Sequence, residues 1–149
     1  MFIPKFTDLR AGLVISYSYL WHREALRGQI EGSKDRTAAV ILAAKPSLIG
    51  SPNRVLVAPI TYSPPSDLSA GVLVPSYVKR AIGLDDTPSF IITTEVNEFT
   101  WPGFDLRTAL VGADTCVYGV LPRPLIEEMK ASLIANAKNR NLTMVPRLK

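Results

Sequence analysis

Twelve prolines spread over 149 residues favour a loop-rich β fold over a helical bundle for this chain. Each one removes a backbone donor and fixes φ, which helix interiors do not tolerate. What lies between the prolines and glycines is a series of short apolar runs. Gly12 to Tyr19 alternates, with Leu13, Ile15, Tyr17 and Tyr19 on one face of a predicted strand. Ala38–Leu42 and Val55–Ile60 read as buried strands. Val72–Val74, Phe90–Thr94 and Val117–Leu121 read as shorter ones, enriched in β-branched residues. Short strands at close spacing, with turn residues between them, predict a mainly β chain arranged as a small barrel or half-barrel of about five to seven strands.

Two helices are predicted. Ser76 caps a short one over Tyr77–Ile82, which Gly83 ends. Pro124 stands at a first helical position, and Leu125, Ile126, Met129, Leu133 and Ile134 then recur at helical spacing to near Asn139. Trp21 to Thr37, rich in charge and glycine, reads as a long loop or hairpin arm. Pro46–Asn53 reads as a turn-rich connection, Phe99–Asp105 as a loop or tight turn, and Leu142–Lys149 as a frayed tail.

The length suits a single domain over residues 1–149 with a sizeable core. The single cysteine, Cys116, rules out an intramolecular disulfide and suits a reducing, cytoplasmic location, where it serves as a small buried hydrophobe. No apolar run approaches the roughly 20 residues of a membrane span. Met1–Lys5 begins no apolar core of signal-peptide length, so neither membrane nor export is expected. A net charge of +4 permits an anionic partner without requiring one.

Candidate chemistry sits where two core strands begin and end. Arg36 opens one strand after Gly32-Ser33-Lys34-Asp35, and Thr61 closes the next. Arginine stays protonated and forks onto two phosphate oxygens, and a neighbouring hydroxyl suits the same ligand. The plainer alternatives are an exposed loop arginine and an ordinary strand threonine. His22 is the only histidine, so a two-imidazole acid–base scheme is excluded, and a surface loop position suits it better. Glu24, Glu31, Asp35, Glu95 and Glu98 are the carboxylates near these segments. Trp21, Tyr62, Phe99 and Trp101 are aromatics in or beside loops, able to stack on unpaired bases or to anchor a loop on the core, the latter favoured for Trp101 beside Pro102. With no cysteine pair and no histidine pair, a zinc site is not expected. The phosphate-loop, dinucleotide and nucleophile-elbow motifs are absent.

In this order the segments resemble the PemK/MazF family of toxin–antitoxin endoribonucleases. Those proteins begin with a strand of the form G-(D/E)-(I/V)-hydrophobic, continue with E-x-x-x-x-R-P before a buried strand, and end a second buried strand in I-T or V-T. Gly12–Ile15, Glu31–Arg36 followed by Thr37–Leu42, and Val57–Thr61 are similar to these three elements. Thr94–Trp101 is similar to the family's later strand and its D-Q-(V/I)-(K/R) turn, and the C-terminal helix follows Leu121-Pro122. Two departures stand out. Thr37 replaces the proline after the arginine, and the acidic position of the late turn falls on Thr94, with a carboxylate one place on at Glu95.

The resemblance implies an SH3-like β-barrel with a C-terminal helix, a homodimer, and a cognate antitoxin as partner. It implies cleavage of single-stranded RNA with no metal or cofactor, by attack of the RNA 2′-hydroxyl to leave a 2′,3′-cyclic phosphate. Arg36, Thr61 and Glu95 are then the catalytic positions, and Lys34, Trp21, Tyr62, Asn97 and Trp101 the RNA-binding ones. The alternative is a barrel of the same kind that binds RNA or a protein without cleaving it. Leu20, Trp21, Leu48 and Ile49, apolar residues in or beside loops, are the candidates for a dimer contact.

Overall fold

A computed structural model describes residues 9–44, 53–101, 106, 107, 109 and 115–147. Among these residues the chain forms eight strands and three short-to-medium helices. In order they are β1 (Leu13–Tyr17), α1 (His22–Leu26), β2 (Arg36–Ala44), β3 (Asn53–Thr61), β4 (Gly71–Leu73), α2 (Ser76–Ala81), β5 (Phe90–Ile92), β6 (Glu95–Trp101), β7 (Val117–Val120), α3 (Arg123–Lys138) and β8 (Thr143–Pro146). The strands form one mainly antiparallel sheet. Its main path runs β4-β5-β3-β2-β1-β7, with β6 on β3 and β8 on β6. Only the β6–β8 pairing is parallel. Among the described residues the path does not return on itself, so the sheet is open rather than a closed ring of strands.

The sheet forks at β3. Asn53–Val57 pair with β6, and Ile60–Thr61 pair with β5. Pro59 falls between the two ladders, where a residue with no N–H interrupts neither. The other edge of β3 runs along β2 with Ala38 opposite Pro59. The ladder ends at that pair, two residues short of Arg36 on β2 and of Thr61 on β3.

Strand alternation divides the interior in two. Leu13, Ile15, Tyr17 and Tyr19 join Ala38, Val40, Val57 and Phe99 on one face, as the sequence alternation predicts. Val14, Ala39, Ile41, Ala58 and Ile60 face the other way, toward Val78 and Ile82 around α2 and Leu125 and Met129 of α3. β1 is therefore buried along its whole length. α3 covers one face with Leu125 and Met129 and leaves Ile134 54% exposed, so the last member of the apolar stripe does not belong to the core.

Three expectations about local structure are corrected. Phe99–Trp101 are the end of β6 rather than a turn, while 102–105 lie outside the described residues. The tail is not frayed over its described part. Thr143–Pro146 form β8, and Arg147 is buried. The long loop after Trp21 contains α1, whose first turn is held by Glu24 Oε1 accepting the Trp21 N–H at 3.0 Å. The Pro46–Pro52 part of the predicted connection, with Leu48 and Ile49, lies outside the described residues, and Asn53 already begins β3.

Candidate functional site

Arg36 and Thr61 line the same surface depression. With Trp21, Arg23, Lys34, Tyr62, Ser63–Ser66, Ala70, Ile92 and Thr94 they form a cleft of about 540 Å³. A second cleft, about 440 Å³, shares Lys34, Arg36, Thr61 and Tyr62 and continues past Ser16, Asp35 and Tyr118. The four shared residues thus form the waist of one groove crossing the open ends of β2 and β3.

The Arg36 guanidinium lies 5.4 Å from the centre of the Trp21 ring, and that of Arg23 lies 4.7 Å from it. Each contact is worth about 0.5–1 kcal/mol at an exposed site. Among the described residues, neither guanidinium forms a hydrogen bond or an ion pair. Arg36 is half-buried, and burial pushes its pKa below the usual arginine value. The charge of Glu24 opposes that shift and the charge of Arg23 adds to it. The Trp21 Nε1–H is buried with no acceptor.

Glu24 fastens the loop that carries Arg36. Its Oε1 accepts from the Trp21 N–H, and its Oε2 accepts a short hydrogen bond from Ser33 Oγ. Burial works to raise its carboxyl. The bonds from Ser33 and Trp21, with the Arg23 charge, outweigh burial and hold it below the usual 4.5. Gly32 brings the same loop against β1, its N–H donating to Ser18 Oγ at 3.2 Å. A Cβ there would lie 2.1 Å from the Tyr19 carbonyl oxygen, an overlap that a backbone contact cannot relieve.

Thr61 Oγ1 accepts the Ser63 N–H at 3.2 Å, which leaves its own proton free to donate into the cleft. Tyr62 is 58% exposed and donates its hydroxyl to Asp85 at 2.6 Å. That hydrogen bond, then partial burial and the charge of Asp85, raise the Tyr62 pKa, so the phenol stays protonated as a donor.

The remaining nominated residues are placed differently. Glu95 is turned away from the cleft that its neighbour Thr94 lines. Its Oε2 accepts from Tyr19 Oη at 3.0 Å and from the His22 N–H, at the start of α1, at 2.8 Å. This is the reversal expected when a side chain shifts by one place on a strand, and it makes Glu95 a brace of α1. Asn97 is wholly buried. Its Oδ1 accepts from the Leu20 N–H at 2.9 Å and from Arg147 at 3.2 Å, and its Nδ2 donates to the Leu20 carbonyl at 2.8 Å. Trp101 is 6% exposed and packs with Phe99 in the interior. Asn97 and Trp101 are therefore corrected from RNA contacts to parts of the frame. His22 is the exposed first residue of α1.

Sequence reasoning missed Arg23 and the Ser63–Ser66 wall. A Trp-x-Arg spacing inside a charged segment was the available signal for Arg23, but only the turn into α1 brings that side chain over the indole. Asp35 is the only carboxylate among the described residues of the two clefts, and it pairs with Arg107 at 3.4 Å. Among the described residues, no three His, Cys, Asp or Glu side chains gather as a metal site, and no helix is long and apolar enough to cross a membrane. Cys116 is buried, and burial raises its thiol pKa to about 11. In comparisons with known proteins, no family model, no curated protein and no solved structure matches this chain.

Proposed function

We propose that this protein is an endoribonuclease of the PemK/MazF type that cleaves single-stranded RNA without a metal ion. The observation that carries the reading is the convergence of Arg36, Thr61, Lys34 and Tyr62 at the waist of one open groove. A phosphodiester seated there meets a forked cation, a free hydroxyl proton and a second cation. Arg36 neutralises a non-bridging oxygen and stabilises the charge that grows as the 2′-hydroxyl attacks phosphorus. The attack forms the 2′,3′-cyclic phosphate and expels the 5′-oxygen of the next nucleotide. Such preorganised donors supply much of the rate in phosphoryl chemistry. Thr61 orients the phosphate. Asp35, beside Arg36 in the groove and one of the five candidate carboxylates, takes the role of base. Tyr62 offers a ring face to an unpaired base, and the Trp21 ring backs the two arginines.

The same reading carries an SH3-like half-barrel opened along one side, a homodimer, a cytoplasmic location and a protein antitoxin that covers the groove. The test is incubation of purified protein with unstructured RNA in excess EDTA, with analysis of the new ends. Cyclic phosphate ends from the wild type, lost in Asp35→Asn, support the scheme. Activity abolished by EDTA overturns it.

A second reading has its own observation. The larger cleft, which holds Trp21, Arg23 and Arg36, contains no carboxylate or imidazole among its described residues. RNA bound tightly there and never cut would make the protein a non-catalytic RNA-binding module.

A further inference from the structure

We propose that Arg23 forms a second phosphate site, holding the phosphodiester next to the one at Arg36 on the same RNA strand. The proposal rests on the RNA reading above and deepens it, because it makes two consecutive phosphates, rather than one, the unit that the cleft recognises.

Arg23 and Arg36 come from different elements, α1 and the start of β2, and both guanidiniums lie against one indole, at 4.7 and 5.4 Å from its centre. Both line the larger cleft, with Lys34 beside them. Two like charges held this close repel each other, and the repulsion is among the causes that lower the Arg36 pKa. The charge of Glu24, a carboxylate held by Ser33 and the Trp21 backbone, offsets the pair only in part. Two guanidiniums and Lys34 against that single carboxylate leave a net positive lining in a cleft with room for more than one phosphate.

An anion spanning both positions would relieve the repulsion. A single phosphate between them would compete for two forks. Adjacent phosphates of one strand give each fork its own pair of oxygens and place the intervening base beside the Trp21 ring.

The test uses 2′-O-methyl oligonucleotides, which bind but cannot be cut because the attacking hydroxyl is blocked. One has a single internal phosphate, one has two, and a third has two linkages with the second as a neutral methylphosphonate. The wild-type full chain is expected to bind the two-phosphate ligand about tenfold more tightly than either of the others, the size of one charge-assisted contact. In Arg23→Gln the gain falls below about twofold, and Arg23→Lys restores part of it, since the charge remains while the fork is lost. Arg27→Gln, an exposed arginine at the end of the same helix that lines neither cleft, keeps the gain. On a longer RNA, the slope of log affinity against log salt flattens by about 0.7 in Arg23→Gln, the single-strand value for one phosphate.

The methylphosphonate arm needs no protein variant, so a wild type indifferent to it overturns the proposal even if Arg23→Gln were to misfold. A gain that persists in Arg23→Gln, or one lost equally in Arg27→Gln, also overturns it and leaves the RNA reading intact. A wild type that binds none of these ligands, nor the longer RNA, overturns the RNA reading itself.

Discussion

Two arginines on the same side of the sheet are treated in opposite ways. Arg147 is 4% exposed and saturated. Its guanidinium donates to Ser18 O, Asn97 Oδ1, Tyr17 Oη and Ile30 O, and lies 5.6 Å from the Tyr17 ring centre. Arg36 is half-buried, rests on an indole and has no hydrogen-bond acceptor among the described residues. A buried charge persists only when its donors are met. A cation left partly desolvated at the waist of a groove, with its donors unmet, is prepared for an anion that arrives from outside. The first arrangement is architecture. The second is the arrangement that the proposed function uses.

The contrast can be broken by exchanging their phenotypes. Arg36→Ala should lower the cleavage rate by about 10²–10³ while changing stability by less than about 1 kcal/mol. Arg36→Lys should be nearly as damaging, since an ammonium cannot fork onto two oxygens. Arg147→Met should do the reverse. It leaves the Ser18 and Ile30 carbonyls without this donor and removes one of the two donors to the Asn97 oxygen, at an expected loss of about 2–4 kcal/mol, read as a lower urea midpoint with an unchanged slope. If Arg36→Ala unfolds the protein, or Arg147→Met leaves its stability untouched, the division of labour is wrong.

Glu24 sharpens the comparison through pH. Its folded pKa lies below 4.5, so its contribution to stability is present above that value and is lost as pH falls through the folded value. Stability measured by urea unfolding from pH 6 to pH 3 should therefore fall more steeply in the wild type than in Glu24→Gln. Matching slopes would show that the Ser33 latch does not need the charge. The smallest effect is expected for Thr61→Val. One neutral hydrogen bond is worth about 0.5–1.5 kcal/mol, which predicts a 2- to 12-fold loss in cleavage rate with the fold intact.

That Arg36 and Thr61 line one cleft was legible in the sequence because it depends on local pattern. Two apolar runs of strand length, adjacent in sequence, place a start beside an end, and the alternation in β1 sorts Leu13 from Val14 without knowledge of any partner. What was missed depends on residues far apart. Asn97 looks like a surface amide until Leu20, 77 residues earlier, supplies two of its hydrogen bonds. β8 has no alternation to announce it, and Arg147 becomes a core residue only through Ser18, 129 positions away. Glu95 was nominated from its position in a motif, and strand parity took it to the other face, where Tyr19 and α1 claimed it.

The Arg147 cluster also sets an order of events during synthesis. A ribosome that has delivered Arg36 and Thr61 has brought out both halves of the waist, yet the wall that carries Trp21 is still unsupported. That wall depends on Asn97 and Glu95, and on Arg147, delivered after both. Contacts of such long sequence separation close late in folding. The wall of the groove is therefore complete only once Arg147 has docked on Ser18.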